Sequence, residues 1–538
     1  MHSKQVVMSL TQITNSTQES FTPVMKFRTI TQAKEEALAS LNQEKPQFDA
    51  IIIGGGVTGA GIFHAATENG LNVLLVEQKD FAWGTSSRSS KMVHGGLRYF
   101  AAGNVSLTRH AVSEREYLLN KLPGLVEKLP YVMVHKKGEF PPPSLFGLLV
   151  RMYYALGGLF HLPKQQRSFS LRTLLGLQRS KFVGFSNFYD AITDDARLVI
   201  RLLQEGASHG GKLLNYAPVE QLIEEEGIVK GVLLNMGGQM KPVYAAEVIN
   251  ATGAWATRLH SHPEYRLRPL RGSHLLLPFH KLPLSASLTV FHPKDKRPIF
   301  VYPWEGCGVI GTTDLDDELP QSTDPSITDQ EVEYLLEVAN SLFEENKVNR
   351  DDILSTWAGF RPVFSTDANT PPSKEKRDHA IWQRPGLISI SGGKLTTFAI
   401  MAQEVLEAYR REHPSRLGDL QPTSYSQSSR HSCALKRLQG RYGNAACAVS
   451  LAGQNQRIHA TNTLWSELNW ALQSEAVCHL EDLLLRRTRL GNLIGPKLKD
   501  YESAINGLLQ KHLGWSETKI QAEWENFWQL WQQSYRVS

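Results

Sequence analysis

The chain has 538 residues, 41% of them hydrophobic and 21% charged, with a formal net charge of +5. That length exceeds what one core supports, so two or three domains are expected. The composition is that of an ordinary globular protein, and the basic excess is too small to argue for nucleic acid. Cys307, Cys433, Cys447 and Cys478 are scattered with no C-x-x-C pair. Neither a disulfide framework nor a metal cluster follows, and a reducing cytosol is the easier reading.

Residues 1–46 are polar, rich in Ser, Thr, Gln and Glu, and lack the apolar core of a secretory signal. They read as a disordered or loosely helical leader. The most informative stretch follows at once. Ile51–Ile53 is a short apolar run that stops at Gly54-Gly55-Gly56 and continues Val57-Thr58-Gly59 into a helical stretch. Gly70 ends that helix, Val73–Val76 is a second strand, and Glu77 closes the unit. Strand, G-x-G-x-x-G, helix, strand and acid stand in the order of a dinucleotide site. Gly54 allows the tight turn, Gly56 lets backbone approach a pyrophosphate, and Gly59 lets helix and strand pack closely. Glu77 is placed to accept hydrogen bonds from a ribose. The unit alone leaves NAD and FAD equally open.

Next comes a loop dense in hydroxyls, Gly84-Thr85-Ser86-Ser87-Arg88-Ser89-Ser90-Lys91, which runs into His94-Gly95-Gly96-Leu97-Arg98-Tyr99. Small donors and close backbone suit a large polar cofactor. Beyond Pro141-Pro142-Pro143, the apolar residues Leu145, Leu148, Leu149, Met152, Leu156, Leu159 and Phe160 recur at helical spacing. This segment, 141–160, is too short to span a bilayer and contains Arg151. It suits an interfacial helix on an anionic membrane surface or, alternatively, a buried core helix.

Glu247–Asn250 followed by Ala251-Thr252-Gly253 reads as another strand ending in a small-residue turn. Leu275–Pro278, Thr289–His292, Pro298–Pro303 and Val309–Thr312 suggest strands of a second sheet. Leu387–Ile390 feeds Gly392-Gly393 and a helix starting at Lys394. Residues 411–430 have the composition of a linker, and Trp524, Trp528 and Trp531 mark one packed face of a C-terminal helix. Arg98, Arg361 and Lys394 lie beside glycines or aromatic residues, and with Arg377 of the Arg377-Asp378-His379 stretch they suggest a phosphate-sized anion site. His94, His274 and His379 show no metal-ligand spacing.

The stretch GTSSRSSKMVHGGLRY strongly resembles the signature of the FAD-dependent glycerol-3-phosphate dehydrogenases. Further matches include Asp194-Asp195-Ala196-Arg197-Leu198, Asn250–Trp255, Gly272-Ser273-His274, Gly311-Thr312-Thr313-Asp314, Gly359–Pro362, Ser391–Thr397 and Arg486-Arg487-Thr488-Arg489. The resemblance covers about residues 47–490 and implies an α/β fold. Its parts would be a Rossmann-like FAD-binding domain of the D-amino-acid-oxidase type, an antiparallel-sheet substrate domain and a helical C-terminal domain. The expected divisions are 47–260 plus 380–410, 261–379 and 431–538.

It further implies that Gly84, Thr85, Ser86, Ser90, His94, Gly95, Gly96, Val219, Gly253, Gly393, Lys394, Leu395 and Thr396 surround FAD, with Gly54, Gly55, Gly56, Gly59 and Glu77. Arg98, Tyr99, His274, Arg361, Arg377 and Lys394 would hold sn-glycerol 3-phosphate. Thr312 and Asp314 would shape the floor. His274, which precedes the apolar run Leu275–Leu277, is expected at a strand end facing the pocket as the base. His94 is the other candidate, and Arg361 and Lys394 complete the catalytic set. Electrons would leave to membrane quinone from a protein attached peripherally to the cytoplasmic face of the membrane. A glycerol-3-phosphate oxidase using oxygen is the alternative, and a non-catalytic nucleotide-binding membrane protein is a third reading. The oligomeric state stays open, a homodimer included.

Overall fold

The computed structural model describes residues 27–97, 100, 103, 105–136, 140–156, 182–261, 264, 266–317, 324–343, 347–365, 378–426 and 436–537. Arg98, Tyr99, Arg377, Leu159 and Phe160 therefore lie outside the described residues.

The first sheet grows from Gln47–Ile53, which runs parallel to Val73–Val76 on one side and to Gln239–Asn250 on the other. Lys212–Leu214 and Leu387–Gly392 extend it, also in parallel, and His379–Arg384 closes one edge antiparallel. Ile51, Ile52 and Val73–Val76 are buried on both faces, which is why they read as continuous apolar runs instead of alternating. Helices Val57–Glu68, Asp195–Ser208 and Phe398–Glu412 pack together over this sheet. Gly61 makes that closeness possible, since a Cβ there would stand 2.8 Å from the Phe398 ring.

The second sheet centres on Arg266–Pro278, paired antiparallel with Ser355–Ser365 and with Cys307–Gly311. Pro298–Trp304 and Ser287–Phe291 continue it. All four strands suggested for this region are present. The sheet also recruits Glu127–Lys136, Phe182–Ile192 and Met92–Val93 from earlier in the chain. A division at residue 260 thus cuts across it. Its two faces alternate along each strand. Leu275 and Leu277 join the cluster under helix Asp329–Leu342, while Leu276, Trp357 and Tyr302 join the cluster under the C-terminal helices. Trp524 and Trp531 are buried in that second cluster, and Trp528 packs against it.

A buried ion lattice fastens the C-terminal helices to the first sheet. Arg487 donates to both oxygens of Asp80, at 2.7 and 2.8 Å. Arg489 reaches Asp194 at 3.0 Å and also Asp195. Arg197 makes a two-pronged pair with Glu475 at 2.8 and 2.9 Å. Burial favours the neutral acids at Asp80 and Asp194, but the facing guanidiniums outweigh it and hold both well below the usual carboxylate range. The acidic and arginine-rich motifs at 194–197 and 486–489 are therefore braces.

One expectation changes, and one choice left open narrows. Part of the supposed leader is a built element: Ile30–Ser40 is a helix with a Thr29 capping box. Ile30, Ala33 and Ala37 repeat on one face and are fully buried, and that short apolar stripe is what binds the segment down. The helix at 143–156 packs by its aromatic side and not by its leucines, which departs from the core-helix alternative and leaves the interfacial one untested. Phe146, Val150, Tyr153 and Tyr154 are buried, while Leu148 and Met152 are 52% and 49% exposed. The aromatic side found partners in the protein, and the leucine side remained outside. No helix among the described residues is long and apolar enough to cross a membrane.

Candidate functional site: a cleft between the two sheets

A cleft of about 430 Å³ opens between the sheets, in the range of cofactor and small-molecule sites. One wall is backbone. Gly54 sits at φ +114°, and a Cβ there would lie 2.7 Å from the Ala251 carbonyl, so the turn requires glycine. Gly59 is tighter still, with a Cβ placed 1.9 Å from the Gly54 carbonyl, and it does not line the cleft. Gly56 differs: a Cβ would meet only Ser86, at 3.1 Å, because the cleft lies beyond it. The helix Val57–Glu68 begins there with no side-chain cap, and Ser86 Oγ accepts the Val57 N–H at 2.9 Å. An anion is the natural partner of such a helix end.

Glu77 lines the same wall. Its carboxylate accepts the N–H of Gly55 at 2.7 Å and of Lys79 at 3.0 Å. Burial pushes its pKa up against those amides. Gly253, at φ +60°, would have nothing within 4 Å of a Cβ, and Ser391 ties it to the next turn by donating to its carbonyl at 2.7 Å. Gly393, Lys394, Leu395 and Thr396 complete the wall with Gly84, Thr85, Ser86, Ser90 and Val219. Thr396 Oγ1 accepts the His94 N–H at 3.2 Å. Open backbone, a helix N-terminus whose N-cap residue carries no side chain and a buried acid fit the pyrophosphate and ribose of a dinucleotide such as FAD.

The facing wall is made of side chains already engaged with one another. Arg361 donates to Asp314 at 2.8 Å, to Thr312 Oγ1 at 2.7 Å and to the Thr313 carbonyl at 3.2 Å. Arg297 also pairs with Asp314, at 3.0 Å. Gly272 makes room for this guanidinium, since a Cβ would stand 2.4 Å from it. Arg361 and Thr312 line the cleft; Asp314 lies buried beneath them.

His274 is not where the sequence reading put it. The strand begins at Arg266, so His274 is in its middle, paired with Gly311 on one side and Trp357 on the other. Strand alternation sends its ring toward the C-terminal helices. It stacks on Trp357 at 5.1 Å and 14°, is 1% exposed, and does not line the cleft. Burial, helped by the charges of Arg361 and Lys91, holds its pKa well below the usual value. Its Nε2 is 2.9 Å from Ser90 Oγ, which does line the cleft. His94 is half-buried on the cleft wall. Gly55, Gly95 and Gly96 are likewise absent from the lining. Gly55 serves the Glu77 bond, and Gly95 is buried against Tyr153.

The sequence reading missed Trp83, Arg258, Leu259 and Phe300, which line the cleft. Nothing in their local sequence marks them. Trp255, also on the wall, stood inside the quoted Asn250–Trp255 motif without being singled out.

Residues 49–408 match the family model described as FAD dependent oxidoreductase, and residues 389–520 match the C-terminal domain of alpha-glycerophosphate oxidase. The chain is similar to glycerol-3-phosphate dehydrogenase 2 of Mycobacterium tuberculosis, 31% identical over 89% of this chain and 87% of the relative. It is also similar to the aerobic glycerol-3-phosphate dehydrogenase of Staphylococcus haemolyticus, 29% identical over 90% and 95%. Among solved structures, the glycerol-3-phosphate dehydrogenase of Bacillus halodurans complexed with FAD superposes with a TM-score of 0.72 at 25% identity, covering 93% of this chain and 97% of that one. The cleft, its fit to FAD and these likenesses agree, and the chain belongs to the FAD-dependent glycerol-3-phosphate dehydrogenase and oxidase family.

Proposed function

We propose that this flavoenzyme oxidises the C2 alcohol of sn-glycerol 3-phosphate to dihydroxyacetone phosphate. The observation that carries the reading is that one cleft joins the glycine wall to Arg361, Lys394 and His94. Gly54, Gly56, Glu77, Gly253 and the Gly393–Thr396 turn hold FAD, which supplies the acceptor for the C2 hydride, and Gly59 keeps the first helix close against the Gly54 turn. Arg361 and Lys394 bind the substrate phosphate, with Arg98, Tyr99 and Arg377 of the sequence pattern joining them. Asp314 keeps the Arg361 guanidinium pointed and partly neutralised, so the pocket prefers an anion of matching shape to bulk chloride. His94 takes the C2 hydroxyl proton, because it lines the cleft and His274 does not. His274 fixes the Ser90 hydroxyl from behind.

Quinone is the proposed acceptor. Leu148 and Met152 face outward from a helix whose other side is anchored, and that geometry suits docking on the cytoplasmic face of a membrane without crossing it. Oxygen is the competing acceptor. Anaerobic mixing of the purified holoenzyme with sn-glycerol 3-phosphate should bleach the flavin, and glycerol should not. Equal bleaching by both would contradict the anion site. Re-oxidation that is fast with a quinone analogue and slow with oxygen supports a dehydrogenase; the reverse identifies an oxidase.

A further inference from the structure

The helix Pro143–Leu156 touches the cleft wall from behind. Gly95 follows His94 directly, and a Cβ on it would stand 2.1 Å from the Tyr153 hydroxyl and 2.5 Å from Val112. Gly95 is glycine so that this helix can press against the loop. The contact is also polar. One oxygen of Asp190 accepts the Gly95 N–H at 3.1 Å, the Tyr153 O–H at 2.8 Å and an Arg115 N–H. Arg115 donates to the Tyr153 oxygen as well, at 2.8 Å. Tyr153 and Arg115 are fully buried, and Asp190 is 4% exposed. Asp190 belongs to the strand Phe182–Ile192, whose Ala191 pairs with Val93 just before His94. The His94–Gly95 backbone is thus gripped by Thr396 on the cleft side and by Asp190 on the other.

We propose that Tyr153, acting through Asp190 and the Gly95 amide, is a positioning residue for the His94 imidazole. The inference rests on the reading of His94 as the base. A carboxylate oxygen shared by three donors has its direction set by all three. Removing the tyrosine hydroxyl leaves that oxygen to Arg115 and the Gly95 N–H, and the charged donor then sets its direction. The Gly95 peptide then shifts, and His94 with it. The helix carries this grip on its inner face while Leu148 and Met152 stand on its outer face, so the effect is independent of anything seated outside.

The test is a double-mutant cycle on the holoenzyme, read by anaerobic stopped-flow flavin reduction with no membrane and no quinone. Tyr153→Phe should slow reduction roughly 3- to 10-fold, the worth of one buried hydrogen bond, with FAD content and half-saturating substrate unchanged. In a His94→Ala background the same change should cost nothing further. A full additional loss in the double variant overturns the proposal, and so does wild-type speed in Tyr153→Phe alone. If His94→Ala itself reduces at wild-type speed, the base assignment fails, and any slowing by Tyr153→Phe then acts through another group. Hydrogen exchange separates positioning from loosened packing. Positioning requires faster exchange confined to residues 92–97; faster exchange along the whole of 143–156 means that the tyrosine only holds the helix, and the proposal falls.

Discussion

The two walls of the cleft solve opposite problems. The glycine wall offers backbone with empty space in front of it: Gly253 has nothing within 4 Å of a Cβ, and at Gly56 only Ser86 stands close. The facing wall offers charge, but each charge is already committed inside the protein. On that wall Arg361 is held by Asp314; behind it, outside the cleft lining, Lys91 is held by Asp195 and the His274 ring by Ser90 and Trp357. Burial pushes the Lys91 ammonium down to about 8 even with Asp195 beside it. A permanent cofactor meets a surface prepared by omission of side chains. A substrate that comes and goes meets groups kept rigid by partners of their own, which limits reorganisation on each turnover.

The comparison can be broken at several places. The largest effect is expected on the glycine wall. Gly56→Val should fold, since a Cβ there meets only Ser86 and the cleft lies beyond, yet it should carry no FAD. Acid release of flavin and circular dichroism measure both, and normal FAD content would show that this wall is not the cofactor's. Second is His94→Ala, which should slow flavin reduction by about 10²–10⁴-fold with FAD retained. Third, Arg361→Ala should lower kcat/KM for sn-glycerol 3-phosphate roughly 10- to 150-fold, the loss of one charge-assisted contact. A fall in kcat alone would move Arg361 from binding to chemistry.

His274→Gln should do less, under about tenfold. The sign of its pKa shift gives a sharper check. A base whose pKa is lowered stays neutral above that value, so His274 carries no charge across the neutral range. The ascending limb of the rate against pH should survive in His274→Gln and vanish in His94→Ala. Loss of the limb in His274→Gln would restore it as the base. The smallest effect on the cleft belongs to Leu148→Ser with Met152→Ser. Surface changes of this kind alter stability by about 0.5 kcal/mol or less. Reduction with a soluble acceptor should be unchanged while vesicle binding is lost. An unfolded double variant would mean that the outer face is core.

The glycine wall was legible because its constraints are local. A tight turn, a helix start and a closing acid fall within 77 − 54 = 23 positions, so spacing alone reports them. The charged wall was legible only as residue types. Whether His274 faces the cleft depends on where its strand begins and on strand parity relative to a core built by residues 480–531. No local signal carries that. Gly95 was read as a cofactor glycine, yet its reason lies in Tyr153, fifty-eight positions away (153 − 95 = 58). The helix 143–156 shows the same limit. Periodicity identified two faces, and only packing decided that the tyrosines go in. The second sheet was found from strands suggested at 275–312, but its partners at 92–93, 127–136 and 182–192 came from a stretch expected to belong to the first.

The central claim is that hydride leaves C2 of sn-glycerol 3-phosphate while His94 takes the hydroxyl proton. Anaerobic flavin bleaching with substrate deuterated at C2 tests it most directly. A primary isotope effect on the bleaching rate is expected in wild type, and it should persist in His94→Ala at a much lower rate. Bleaching at equal speed with protiated and deuterated substrate in the slow His94→Ala variant would contradict the account, because hydride transfer from C2 would then not be the step this wall was built to assist.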